Sequence, residues 1–413
     1  MAPIIVLVAG RNPLEEIGGG HSRYVRAHAR AAIRAGFEPH IFCASRRGGV
    51  VETDFGVVHR TPSPFRPFRQ LMVCGHGPLI AADVGRFARS HGRPQLIHSF
   101  GVWGYVGVRA SQQLKRQGVE AVAVASAYTT YEVESRGKVR GLVSAHGLRE
   151  RFRYRAEHLW IRWVVERYER RGYTESALVL FNYESVRQLL VAKYAIETKC
   201  RKLPYTSESA FLREATVPSQ VPEPIAALRT AHTPLVVSLS GHEPNKGLTV
   251  FLHALARLRA SGVAFRACLV GKGPLIAQHR RLAGHLGLGD LIVITDFVPD
   301  PHPYLQHADV FVLPSLHEQS GSLALIEALQ VGLPVIASRC DGIPEDVVDG
   351  ESALLVTPGT PADLAAAIGR LLGDPALRKR LANGGRATFE ARFSPDAFTE
   401  ALRKTYAELG VTP

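Results

Sequence analysis

The chain is short of the features that mark membrane-spanning, disulfide-stapled or zinc-holding proteins. Its five cysteines, Cys43, Cys74, Cys200, Cys268 and Cys340, are scattered, odd in number and free of CxxC or Cys/His spacing. That pattern implies a reducing compartment and no zinc site. No apolar stretch reaches the roughly 18 residues needed to span a bilayer. The N-terminal MAPIIVLVAG is too short for a signal peptide and lacks its basic start, so it reads as a first buried strand. The expected location is the cytoplasm. Gly-x-Gly-x-x-Gly is also missing, and with it the usual dinucleotide fingerprint.

What the chain has in excess is positive charge on one side. Its formal net charge is +13 over 413 residues, but residues 1–205 hold 32 Lys and Arg against 16 Asp and Glu, and the rest holds 18 against 21. The excess peaks over 136–171, where eleven basic residues face four acidic ones and Phe152, Tyr154, Trp160, Trp163 and Tyr168 interleave with them. Such a stretch either meets an anionic membrane surface or acidic acceptor, or is a solvated helix whose aromatics pack inward. No helix-turn-helix, zinc-finger or RNP pattern accompanies it, so nucleic acid is not an expected partner.

With 46% hydrophobic residues the length suffices for two ordinary domains. Apolar strands alternate with amphipathic helices throughout. Strands are expected over 4–9, 40–43, 96–99, 121–125 and 178–181, then over 235–239, 266–270, 292–295, 310–313, 334–337 and 353–356. Helices are expected near 22–35, 80–90, 103–117, 148–171 and 184–193, then near 248–259, 274–286, 303–306, 322–331, 361–372 and 375–391. The proline-bearing 50–74 stretch reads as hairpin or loop. Alternation at this spacing predicts an α/β fold of doubly wound parallel sheets. Proline-dense 216–224 reads as a linker. The expected division is 1–212 and 213–393. A last amphipathic helix over 394–409, with Phe398, Leu402 and Tyr406 at i, i+4, i+8, is free to cross back to the first domain.

The most informative segment is DVFVLPSLHEQSGSLALIEALQVGLPVIASRCDGIPED, residues 309–346. It is strand–loop–helix–strand, the unit of a parallel sheet. Glu318 lies in the loop and Glu327 in a helix apolar nearly all round, where a carboxylate is costly unless hydrogen-bonded. The loop feeds backbone N–H groups into a helix N-terminus, a natural seat for phosphate. Three further clusters join it. Gly18-Gly19-Gly20-His21-Ser22 follows the first strand, either as a close approach of backbone to ligand or as a plain tight turn. Gly241, His242 and Lys246 follow the 235–239 strand; Lys246 suits a diphosphate or is a surface lysine, and His242 donates to the same phosphates or caps the turn. Val-Gly-Lys-Gly-Pro after 266–270 and Phe297-Val298 after 292–295 complete a sheet edge.

In order and spacing over about 235–360, Gly-His-x-x-x-Lys-Gly, Val-Gly-x-Gly-Pro, Phe-Val-Pro-Asp, Ala-Asp-Val-Phe-Val-Leu-Pro-Ser and Glu…Glu-Ala-Leu-x-x-Gly-Leu-Pro-Val resemble the family 4 glycosyltransferases (glycosyltransferases group 1) of GT-B fold. The resemblance implies two Rossmann-like domains facing each other across a cleft. It implies retaining transfer of a sugar from a nucleotide diphosphate donor, most simply a UDP-sugar, to a hydroxyl or amine, without a bound metal or other cofactor. In agreement, no Asp-x-Asp occurs in the chain. Carried over by position, Lys246 holds the diphosphate, the N–H groups of Gly321, Ser322 and Leu323 receive it, Glu327 takes the ribose hydroxyls, and Gly19, with Gly20 beside it, lies close to the diphosphate from the first domain.

Three departures qualify the match. His242 stands where the family usually has Arg. Eight residues separate Glu318 from Glu327 where the family has seven, so either the loop is one residue longer or Gln319 takes the sugar-facing place. Tyr128 stands where the family often has His; it can position an acceptor but is a poor base near neutral pH. The acceptor stays open among small molecule, lipid and glycan, with peripheral contact at the inner membrane face through 136–171 as one option. A sugar-nucleotide epimerase of the same fold and a non-catalytic, sugar-nucleotide-binding descendant are the alternatives.

Overall fold

The computed structural model describes residues 2–15, 20–62, 72–140, 148–212, 219–228, 233–318 and 321–413. Two compact units emerge: Met1–Phe211 with Pro395–Pro413, and Leu212–Ser394. Each is built on one sheet. Gly19 and Gln319 lie outside the described residues.

Among the described residues the first unit carries eight strands: β1 (Ile4–Ala9), β2 (Glu38–Ser45), β3 (Gly49–Thr53), β4 (Gly56–Pro62), β5 (Leu96–Phe100), β6 (Val122–Ala127), β7 (Leu178–Phe181) and β8 (Cys200–Lys202). Their order is β3-β4-β2-β1-β5-β6-β7-β8, parallel throughout except for the antiparallel β3–β4 hairpin. The central strands are apolar runs buried on both faces, as a helix-covered parallel sheet requires. The proline-bearing 50–74 stretch thus supplies an edge hairpin and the start of a helix, Met72–Ser90. Elements not expected include β8 and the helices Tyr131–Arg140 and Glu208–Leu212. The long basic helix expected over 148–171 runs as Leu148–Trp160, a π-helical turn Ile161–Val165, and Glu166–Glu175.

The terminal helix Pro395–Ala407 belongs to this unit. It buries Phe398, Leu402 and Tyr406. The Tyr406 hydroxyl bonds His98 Nδ1 on β5 at 2.8 Å, and the Phe398 ring meets the edge of the His28 ring at 4.9 Å.

Among the described residues the second unit has six strands: β9 (Leu235–Leu239), β10 (Arg266–Val270), β11 (Ile292–Thr295), β12 (Val310–Leu313), β13 (Val335–Ser338) and β14 (Leu354–Val356). They run parallel in the order β11-β10-β9-β12-β13-β14. The chain winds outward from β9 in one direction and from β12 in the other, so the strand order reverses between these two neighbours. Such a reversal opens a crevice at the carboxyl ends of the strands, where open α/β sheets bind ligands. The core under it is apolar, with Val236, Phe251, Leu269, Val312 and Ile368 almost fully buried. Among the described residues no helix is long and apolar enough to cross a membrane.

Candidate active site at the reversal of the second sheet

The turn after β9 and the loop after β12 meet at this reversal. Pro244–Lys246 forms a single 3-10 turn, and Gly247 follows in a left-handed conformation at φ 67°. A Cβ on Gly247 would fall 1.8 Å from the Pro314 carbonyl oxygen, so only glycine allows the two backbones this approach. Leu316 N–H and His317 N–H then donate to the Asn245 carbonyl at 2.8 and 3.2 Å. The two loops are stitched together before any side chain is considered.

Across that seam Lys246 Nζ donates to both oxygens of Glu318, each at 2.8 Å. Glu318 is only 3% exposed. Ser315 Oγ donates to its Oε2 at 2.8 Å, and its own N–H donates to Asp341 Oδ2 at 2.6 Å. Burial pulls the Lys246 ammonium down, but the charge and hydrogen bonds of Glu318, with Glu243 and Cys340 behind them, raise its pKa overall. Lys246 is therefore held as a cation against a buried carboxylate. Asp341, in the turn after β13, takes the unusual φ of 44° for a residue with a side chain. Sequence reading missed Ser315 and Asp341, since a serine and an aspartate in loops carry no periodic signal.

The helix Leu323–Val331 begins beside this pair. Ser322 is its N-cap, accepting from Leu325 N–H at 3.2 Å, and Gly321 precedes it at φ 84°. The N–H groups at the helix start and the helix dipole make this end favourable to an anion. Glu327 sits one turn further and is buried, 2% exposed, on a helix whose Leu325, Ile326, Ala328 and Leu329 are all buried too.

His242 is fully buried. Its backbone is clamped between Lys272 and Leu275 by two 3.0 Å hydrogen bonds, and a Cβ on Gly273 would strike it at 2.5 Å. Its Nδ1 lies 2.7 Å from Nδ1 of His279, whose Nε2 lies 3.0 Å from Thr249 Oγ1. Burial, then His279 and Arg280, push the His242 pKa down to about 4; burial does the same to His279. The imidazoles are neutral, so one Nδ1 donates and the other accepts. When the Thr249 hydroxyl donates to His279 Nε2, His242 is left with a proton on Nε2, a buried atom with no partner among the described residues. His242 is thus a neutral hydrogen-bonding group whose tautomer is set by Thr249 and His279. His279 was not singled out in the sequence, although its place on the buried face of Ile276–His285 marks it as core-facing. Lys272 Nζ lies 4.9 Å from the centre of the half-exposed Phe297 ring on the same edge.

In the first unit, Gly20 opens the helix Gly20–Arg34 and is exposed. Tyr128 follows β6, with its ring edge-on to Tyr24 at 4.4 Å, and burial raises its phenol pKa well beyond neutral pH. It is no base. Asn182, just after β7, is 3% exposed with both amide atoms lacking a partner among the described residues. These residues mark the carboxyl edge of the first sheet.

The geometry agrees with what comparison finds. Residues 233–374 match the family described as glycosyl transferases group 1, and residues 18–204 match glycosyltransferase family 4. The lipopolysaccharide core biosynthesis glycosyltransferase LpsD of Rhizobium meliloti is 34% identical over 224 residues, 53% of this chain and 63% of that protein. The matches to the first curated relatives span 51–63% of their length. The fold is shared with sucrose-phosphate synthase from Thermosynechococcus elongatus, with TM-score 0.76, 23% identity and 99% of both chains covered. It is shared too with HepE of Anabaena in complex with UDP and glucose, with TM-score 0.67, 18% identity, and 99% of this chain and 100% of that one covered. The chain belongs to the group 1, family 4 glycosyltransferases of GT-B fold.

Proposed function

We propose that the protein is a retaining glycosyltransferase that moves a sugar from a nucleotide diphosphate donor to a hydroxyl or amine acceptor without a metal ion. The observation that carries this is the Lys246–Glu318 pair at the β9/β12 reversal, beside the Ser322-capped helix start. A diphosphate there meets a cation from one loop and backbone N–H groups from the other. Glu327, one turn along the same helix, is placed for the ribose hydroxyls. A UDP-sugar is the simplest donor, a reading supported by the UDP complex of the fold relative HepE.

In the transfer, the bond from anomeric carbon to phosphate oxygen breaks as the acceptor oxygen or nitrogen bonds to the same face of the sugar. The acceptor proton passes to the leaving phosphate oxygen, so the weakness of Tyr128 as a base does not stop the reaction. Charge developing on the diphosphate is met by Lys246 and the helix N-terminus. Glu318, or Gln319 beside it, is left to hydrogen-bond the sugar.

The acceptor is a small molecule, lipid or glycan carried by the first unit. The basic, aromatic 136–171 segment favours one presented at an anionic membrane surface, in the cytoplasm.

Calorimetry with a panel of UDP- and GDP-sugars in excess EDTA tests the donor. We expect binding of at least one, and failure of the whole panel would end the proposal. The anomeric coupling constant of the product reports retention. Conversion of donor with no acceptor present would favour the epimerase reading instead.

A further inference from the structure

The basic helix of the first unit is built inside out. Over Leu148–Glu175 the residues that face the protein are Ile161, Val165, Glu169 and Tyr173, all buried. The residues that face solvent are not uniformly polar. Phe152 is 75% exposed, Leu159 55%, Trp160 39% and Trp163 65%. Phe152, Ala156 and Leu159 fall at i, i+4 and i+7, one stripe of a helix, and the exposed Trp163 follows in the π-helical turn. Monomeric proteins rarely leave contiguous large apolar side chains in water without a use for them.

The flanks of the stripe say what the use is. Arg153, Arg155 and Arg162 are exposed beside it, and no carboxylate among the described residues pairs with any of the three. By contrast Arg136, Arg170 and Arg171 are engaged by Glu132, Glu166 and Glu175. Among the described residues of this helix, the exposed arginines with no carboxylate partner are thus Arg153, Arg155, Arg162 and Arg167, and the first three lie beside the stripe. A protein partner would need an acidic apolar groove. Indole and phenyl rings ringed by unpaired guanidinium groups instead suit the headgroup layer of a bilayer, where aromatic rings settle and anionic lipids attract arginine.

The inward face of the same helix is wired to the carboxyl edge of the first sheet. His158 Nδ1 lies 2.8 Å from Ser135 Oγ, and Glu169 Oε1 accepts from Tyr131 N–H at 3.2 Å. Both partners belong to Tyr131–Arg140, the helix that follows Tyr128 by two residues.

We propose that Phe152, Leu159, Trp160 and Trp163, with Arg153, Arg155 and Arg162, form a docking face for an anionic lipid bilayer, and that docking fixes the loop of Tyr128 relative to the membrane plane. This deepens the acceptor reading above, but lipid binding itself needs no donor and no turnover.

The test is co-sedimentation of the full chain with vesicles of phosphatidylcholine and phosphatidylglycerol, against phosphatidylcholine alone. Binding to the anionic vesicles is expected, with a steep loss as salt rises. Each of Arg153→Gln, Arg155→Gln and Arg162→Gln should weaken it about fivefold. Phe152→Ser with Trp163→Ser should weaken it roughly tenfold or more. Trp160→Phe with Trp163→Phe should keep binding yet lose the blue shift of indole fluorescence on vesicles. Donor calorimetry on each variant separates this test from the transferase reading, because Lys246, Glu318 and Glu327 lie in the other unit. Three results would overturn the proposal: wild-type protein left in the supernatant, serine variants that bind as tightly as wild type, or light scattering that shows a dimer dissolved by Trp163→Ser, which would make a second copy the occupant.

Discussion

Lys246 and Glu318 illustrate why a residue's role depends on its partner. Seen in the sequence, the lysine is a surface residue or a phosphate ligand, and the glutamate a catalytic candidate. The fold joins them into one buried ion pair. Removing only the cation leaves the buried Glu318 side chain with Ser315 as its one remaining donor among the described residues, and breaking a buried pair in this way costs about 3–5 kcal/mol. Lys246→Ala is therefore expected to lower both donor affinity and stability. Lys246→Met with Glu318→Leu removes both charges and should recover most of the stability while donor binding stays lost. Urea unfolding and calorimetry on the two variants separate the effects. If the double variant binds donor normally, the pair is structural only. The candidates legible at this scale were those tied to loops after strands, Lys246, His242 and Glu318. Asp341 and His279 were not, because their importance arises from a hydrogen bond to a residue 23 or 37 positions away.

Among elements, the apolar ones could be read and the polar ones could not. Leu323–Val331 announces itself through Ser322 as cap, an unbroken apolar run and Gly332 as stop, whose φ of 79° ends it. Tyr131–Arg140, YEVESRGKVR, has no apolar stripe of its own. Its order comes from outside, chiefly from Glu169, whose other oxygen accepts from the Tyr194 hydroxyl at 3.1 Å. Burial raises the Glu169 carboxyl to about 7, against hydrogen bonds from Tyr131 and Tyr194 and the charge of Lys193 that pull it down. A carboxyl raised on folding favours the native state while protonated, and that contribution is lost as pH rises from about 4.5 through 7. Glu169→Gln, whose amide accepts from Tyr131 and donates to Tyr194, does not ionise. Its stability relative to wild type should thus rise between pH 5 and pH 8 by on the order of 3 kcal/mol. A pH-independent difference in urea unfolding would show that Glu169 titrates normally.

At the scale of the whole molecule, parallel sheets were legible from the alternation of buried strands with helices. The edge hairpin β3–β4 and the short β8 were harder, since edge strands are short and partly polar and their pairing is not periodic. Both units share an acid weakness. His28 in the first is held down to about 3, and His242 and His279 in the second to about 4, in each case mainly by burial. A depressed imidazole contributes stability above its unfolded pKa near 6.5 and loses it as pH falls toward the folded value. Each contributes about 1.4 kcal/mol per pH unit across that window. Unfolding midpoints should therefore drop steeply between pH 6.5 and 4, and His279→Gln should flatten the acid limb of the second unit alone.

The terminal helix has a consequence for the order in which the chain folds during synthesis. Tyr406 and Phe398 complete the surroundings of His98 and His28, so the first unit lacks part of its core until residues 395–413 have been made. The second unit is one unbroken segment and can close earlier. Nascent chains usually fold their N-terminal domain first; here the opposite order is expected. A fragment of residues 212–394 should give a cooperative unfolding transition by itself. Residues 1–211 should do so only when 395–413 are added back in trans, and cooperative folding of 1–211 alone would refute this order.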